Sequence, residues 1–81
     1  MPADAFASLD CETTGTDPER DRIVEVAVVR DGERRAWRVF PGVPIPPEAT
    51  AVHGIADADV AARPRFADVA HEVAAALAGA I

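Results

Sequence analysis

Hydrophobic positions along this chain change their spacing from segment to segment, and each change marks an element. Ala5 to Asp10 is a short, mostly apolar run with Phe6, Ala7 and Leu9, and it predicts a first β-strand. Ile23 to Arg30 is rich in valine, whose stiff branched side chains suit a pleated surface, and it predicts a second. Asp31-Gly32 then stands between two β-prone runs. Such a pair favours a two-residue hairpin turn, so Glu33 to Phe40 is expected to run back antiparallel to the second strand. The polar stretch from Cys11 to Arg22, with Asp17-Pro18 inside it, reads as a loop.

Pro41 to Pro47 is too rich in proline for regular structure. Pro47 suits the first position of a helix and Gly54 the position after its end, so a short helix is expected between them, with a further turn from Asp57 to Ala61. Phe66, Val69, Ala70, Val73, Ala74 and Leu77 recur at spacings of three and four, the signature of one apolar helical stripe, and Gly79 offers a stop. Arg65 is a poor cap for that helix, although Asp68 in its first turn suits the helix dipole. The smallest arrangement that buries these stripes is an α/β unit: a three-stranded antiparallel meander with a helix laid on one face.

Composition narrows the class. The 81 residues make one small domain, 1–81, with a modest core. No uncharged run is long enough to span a membrane and no secretion signal is visible, so a soluble cytoplasmic protein is expected. A single cysteine forms no internal disulfide. A net charge of −6 argues against nucleic-acid binding by bulk electrostatics, but a bound cation would invert the local charge. All the basic residues are arginine, which suggests a GC-rich genome rather than a function.

The candidate chemistry lies in Leu9-Asp10-Cys11-Glu12-Thr13-Thr14-Gly15. In an extended chain Asp10 and Glu12 project to one side while Cys11 points to the other. Two hard oxygen donors on one face suit Mg²⁺ or Mn²⁺, and an apolar strand end would otherwise carry their repulsion uncompensated; the alternative for the pair is a solvated strand end. Cys11, on the opposite face and without a paired histidine, reads as buried filler. His71-Glu72 lacks a second histidine at helical spacing, so a zinc-protease reading fails. Glu25 sits inside an apolar strand, either paired and structural or in support of the metal site. The arginines at 30, 34, 35 and 38 read as a solvated rim, a minority reading being contact with a nucleic-acid backbone.

The same block, continued by Asp17-Pro18 and Arg22-Ile23-Val24-Glu25-Val26-Ala27-Val28, resembles the first motif of the DnaQ-like 3′-to-5′ exonucleases of the DEDD superfamily. A second block reinforces it: Pro44-Ile45-Pro46-Pro47-Glu48-Ala49, then Val52-His53-Gly54-Ile55 and Phe66-Ala67-Asp68-Val69-Ala70. It is similar above all to the proofreading branch, the epsilon subunits of bacterial DNA polymerase III.

The resemblance implies the N-terminal portion of a ribonuclease H-like fold and hydrolysis of nucleotides from a 3′ end with two divalent ions. Asp10 would bind both ions and Glu12 the one carrying the attacking water. Thr13 and Thr14 would touch the terminal nucleotide, and Glu48, Ala49, Val52 and His53 would line its sugar and base. Bland alternatives stand beside these roles: the threonine hydroxyls could only order their loop, and His53 could only end a helix.

The family uses four acids and, in one branch, a histidine base, of which only the first two acids match here. The expectation is therefore the N-terminal half of an exonuclease domain, truncated before the third acidic motif and inactive alone. Its partners would be a nucleic-acid 3′ end and, in a full-length parent, polymerase subunits. The alternative is a non-catalytic fragment that binds metal or nucleotide and self-associates through an exposed edge of its first strand.

Overall fold

The computed structural model describes residues 6–17 and 19–78. Along them run β1 (Ser8–Thr13), β2 (Ile23–Arg30), β3 (Glu33–Arg38), α1 (Pro47–His53), α2 (Asp57–Val60) and α3 (Phe66–Leu77). The hairpin between β2 and β3 turns on Asp31 and Gly32, both at positive φ (55° and 80°), the geometry a two-residue turn of this kind requires. All strands pair antiparallel in the order β1-β2-β3, so β2 is central and β1 outermost.

Register assigns each side chain to a face, because residues directly opposite in an antiparallel pair share one. Cys11, Val26 and Trp37 form one row and Leu9, Val28 and Arg35 the next. Asp10, Ala27 and Ala36 form a row on the other face, beside Glu12, Glu25 and Arg38. The stripe of α3 covers the first face, where Val73 packs on Val26 and Val28 with Trp37, Ala76 and Leu77 around them. A second cluster of Val24, Ile45, Ile55 and Val60, with Ala49 against it, seats α1 and α2 at the far end of β2.

Several expectations move. β1 begins at Ser8 and takes in Cys11, Glu12 and Thr13, which polarity had placed in the loop. Pairing with Val26, Glu25 and Ile23 decides, and an outer strand tolerates polar side chains on its solvated surfaces. β3 ends at Arg38 rather than Phe40, though the Val39 N–H still donates to the Val24 carbonyl at 2.9 Å. α2 stops one residue early, at Val60. The predicted stripe of α3 narrows to Val69, Val73 and their neighbours. Phe66 and Ala74 are exposed, and Ala76 packs in their place. The proposed stop at Gly79, like Ala5 and Pro18, lies outside the described residues.

Cys11 is exposed, against the expectation of buried filler. α3 lies over β2 and leaves β1 uncovered, so Leu9 is likewise 52% exposed.

Local chemistry explains the helix ends. α1 starts at Pro47 and its Gly54 cap donates its N–H to the Thr50 carbonyl at 2.7 Å. At α3 the Asp68 carboxylate accepts the Arg65 N–H at 3.1 Å, which supplies a cap that Arg65 itself cannot. Arg34, Arg35 and Arg38 are exposed, as a solvated rim requires, and the arginines are also engaged. Arg30 donates to the Ala76 and Ala78 carbonyls at the end of α3 (3.1 and 2.6 Å), and Arg35 lies over the Trp37 ring at 4.8 Å. Arg34 and Arg38 pair with Glu25. No helix among the described residues is long and apolar enough to cross a membrane.

Candidate functional site

Alternation along β1 presents Asp10 and Glu12 on the sheet face that α3 does not cover. Asp10 is exposed and Glu12 half-buried. Neither carboxylate has an ion-pair or side-chain hydrogen-bond partner among the described residues. Their charges, after the local burial of its sulfur, push the Cys11 thiol above its ordinary value.

A shift of register between Glu12 and Thr13 ends the regular ladder, and the chain turns into the loop 14–22. Thr14 is buried and organises that loop. Its N–H donates to the Arg22 carbonyl, its hydroxyl donates to Asp21 Oδ1, and the Thr14 hydroxyl oxygen accepts the Arg22 N–H, each at 2.9 Å. The second Asp21 oxygen accepts the Asp17 N–H at 2.7 Å. Gly15 makes this packing fit, since a Cβ there would lie 2.5 Å from Asp21 Oδ2. The Thr13 hydroxyl donates to the Gly15 carbonyl. Both hydroxyls are thus engaged in ordering the loop. Thr14 lines the cleft as well, and its amide and hydroxyl already serve the loop.

Across from this loop stands α1. Glu12, Thr13, Thr14, Gly15 and Thr16 on one side, and Glu48, Ala49, Val52 and His53 on the other, line an open cleft of about 280 Å³ together with Cys11. Asp10 lies outside the lining, two residues back along β1. Val52 is 82% exposed, an apolar side chain facing the opening with nothing of the fold to cover it. His53 holds the two sides together. Its Nδ1 accepts the Ile55 N–H at 3.1 Å, which puts the proton on Nε2, and Nε2–H donates to the Thr13 carbonyl at 3.0 Å. With both nitrogens engaged, His53 has no free lone pair to act as a base. It does more than end α1.

Asp10 and Glu12 offer the donor chemistry that a hard divalent cation takes, uncommitted and accessible. They fit such an ion as a partial site, since no three His, Cys, Asp or Glu side chains converge on a metal position among the described residues. Sequence reasoning overlooked Thr16 in the lining and Asp21 behind it. Nothing in local spacing connects Asp21 with Thr14; only the folded loop does.

The family model described as exonuclease, RNase_T, matches residues 8–81. The chain is 49% identical over 72 residues to a DNA polymerase III subunit epsilon-like protein of Rhodobacter capsulatus, a match covering 79% of this chain and 10% of that protein. It is 33% identical over 82 residues to the DNA polymerase III subunit epsilon of Treponema pallidum, covering 95% of this chain and 38% of that one. The solved structure of exonuclease X in complex with 5′ overhanging duplex DNA superimposes with a TM-score of 0.67 at 36% identity, covering 83% of this chain and 42% of that one. The chain thus spans less than half the length of each of these relatives. Its meander and following helices correspond to the N-terminal portion of a ribonuclease H-like fold.

Proposed function

This chain belongs to the RNase_T exonuclease family, and on that premise we propose that it forms the part of a 3′-to-5′ exonuclease domain that receives the terminal nucleotide. The observation that carries the reading is the cleft. Glu12 and Thr13 meet Glu48, Ala49, Val52 and His53 across it, although more than thirty residues separate the two segments.

Asp10 and Glu12 would hold a divalent cation, which when bound activates water and offsets charge on a phosphodiester. The chain's own residues then divide the remaining work. Val52 and Ala49 present an apolar wall to a sugar and base. Thr13, fixed through its carbonyl by His53, sets the distance from that wall to Glu12. Thr14 and Asp21 keep the loop from collapsing into the opening.

DNA is the substrate proposed, supported by the exonuclease solved in complex with DNA and by relatives named for a DNA polymerase subunit. Polymerase subunits are proposed partners of the whole protein on the same ground. For these 81 residues alone we propose binding without turnover, since two carboxylates hold one cation loosely. Release of labelled mononucleotide from a 3′-labelled oligonucleotide by the purified chain in Mn²⁺ would overturn that part.

The binding part is tested by titrating thymidine 5′-monophosphate with Mg²⁺ and following amide shifts. Thr13, Ala49, Val52 and His53 should move, and Val52→Asp should weaken binding by roughly three- to tenfold with an unchanged melting temperature, because Val52 is exposed. Shifts confined to residues outside the cleft would refute the assignment.

β1 carries a further consequence. Its outer edge has no strand beside it among the described residues, and Leu9 and Phe6 are exposed nearby. We propose that the 81-residue chain self-associates through this edge. Light scattering should show mass rising with concentration, and Leu9→Lys should return it toward a monomer. A wild-type chain that is monomeric throughout, with a sharp melting transition, would sink the idea.

A further inference from the structure

Glu25 stands directly opposite Glu12 on β2, and Arg38 stands directly opposite Glu25 on β3. The row therefore reads acid, acid, base across the sheet, on the face of Asp10 and Glu12. Two carboxylates side by side repel unless something compensates. Arg38 Nε donates to Glu25 Oε2 at 3.2 Å and Arg34 Nη2 to Oε1 at 3.4 Å, so one carboxylate engages both guanidinium groups. Only 16% of the Glu25 side chain is exposed.

Arg34 starts two rows away, opposite Val29, and must cross the row of Asp10, Ala27 and Ala36 to reach Glu25. Ala27 and Ala36 are small, which leaves room for an arginine stem to cross that row; Ala27 is buried there and Ala36 exposed. Strands sit about 4.8 Å apart, so Arg38 starts roughly 10 Å from the strand of Glu12, with Glu25 halfway between. An arginine released there would find Asp10 and Glu12 as the next carboxylates. A planar guanidinium binds a carboxylate through two hydrogen bonds and would compete for the oxygens a cation needs.

We propose that Glu25 is a positioning residue for the acid pair: by holding Arg34 and Arg38 it keeps both guanidinium groups off Asp10 and Glu12 and leaves those oxygens open to a divalent cation. The two open readings of Glu25, structural pair and support for the metal site, become one. Glu25 is not itself a ligand. Its oxygens face the arginines, and no three-acid cluster forms among the described residues. The inference rests on the metal-binding reading of Asp10 and Glu12 given above.

Mn²⁺ affinity of the 81-residue chain, followed by water proton relaxation, tests it. Glu25→Gln should weaken binding by roughly three- to tenfold, because both arginines turn to the acid pair. The chain carrying Glu25→Gln, Arg34→Gln and Arg38→Gln together should recover to within about twofold of wild type. If Glu25 were a ligand or a simple structural prop, removing the arginines as well would restore nothing. That outcome overturns the proposal, as does an unchanged affinity in Glu25→Gln.

Should Glu25→Gln fail to fold, the double variant Arg34→Gln, Arg38→Gln decides alone: binding as tight as wild type or tighter supports the proposal, and weaker binding overturns it. Failure of the underlying reading looks different. The wild-type chain would then show no Mn²⁺ binding that Asp10→Asn removes, and both fall together.

Discussion

Chains carrying Asp10→Asn or Glu12→Gln are expected to bind Mn²⁺ at least about tenfold more weakly than wild type while folding as well or slightly better. Each substitution keeps the shape of the side chain and removes one charged oxygen donor. Asp10 is exposed and Glu12 half-buried, and neither has a partner in the described fold whose loss could destabilise it. Removing one of two like charges on the same face relieves repulsion in the metal-free chain, a small gain at exposed positions. The opposite signs carry the diagnosis: a structural carboxylate loses stability when neutralised, whereas a ligand loses only its ion. Thermal melts in a chelator, set beside Mn²⁺ titrations, measure the two quantities. A fall in melting temperature without loss of Mn²⁺ binding would refute the assignment of these acids.

Ile55→Ala is expected to have the largest effect on stability. Ile55 is 1% exposed and packs with Val24, Ile45 and Val60 in the cluster that seats α1 and α2. Truncating a buried isoleucine to alanine costs about 2–5 kcal/mol, because the loss of buried apolar surface is joined by a cavity that neighbours fill only in part. A domain of this size has on the order of 4–12 kcal/mol to lose. The backbone of Ile55 also donates to His53 Nδ1 and accepts from the Thr50 hydroxyl at 2.8 Å, so its displacement loosens the cleft wall. Urea unfolding should show a lower midpoint with an unchanged slope. Arg63→Ala, at an exposed position between α2 and α3, is the control and should shift stability by under about 0.5 kcal/mol. Equal effects of the two substitutions would show that the core lies elsewhere.

What could be read in advance follows the range of the interaction responsible. The β2–β3 turn and both ends of α1 came out as expected, because Asp31-Gly32, Pro47 and Gly54 act through backbone geometry at their own positions. The limits of β1 did not. Where a strand stops depends on how far its partner offers hydrogen bonds, and that partner lies on β2. The exposure of Cys11 turned on which strand α3 covers, a tertiary choice invisible in the alternation of β1. In the site, the geometry of a strand was enough to place Asp10 and Glu12 together. The opposite wall, Glu48 to His53, was legible only through resemblance to a family, since no periodicity links it to residue 12. The bonds that hold Thr14 to Asp21, seven residues on, were likewise invisible in the motif.

The residues that line the cleft include two carboxylates, Glu12 and Glu48, and no arginine. An incoming phosphate alone meets like charge there, and each arginine nearby on the sheet face is already held by Glu25. A divalent ion reverses the sign of the field at the mouth of the cleft. On the proposed reading, ion and nucleotide would be heterotropic ligands of one another: whatever factor the ion adds to the affinity for nucleotide, the nucleotide must add to the affinity for the ion. A nucleoside lacking the phosphate would have no share in that coupling, so on this reading the wall formed by Ala49 and Val52 and the charge at Glu12 would be separable contributions to a single binding isotherm.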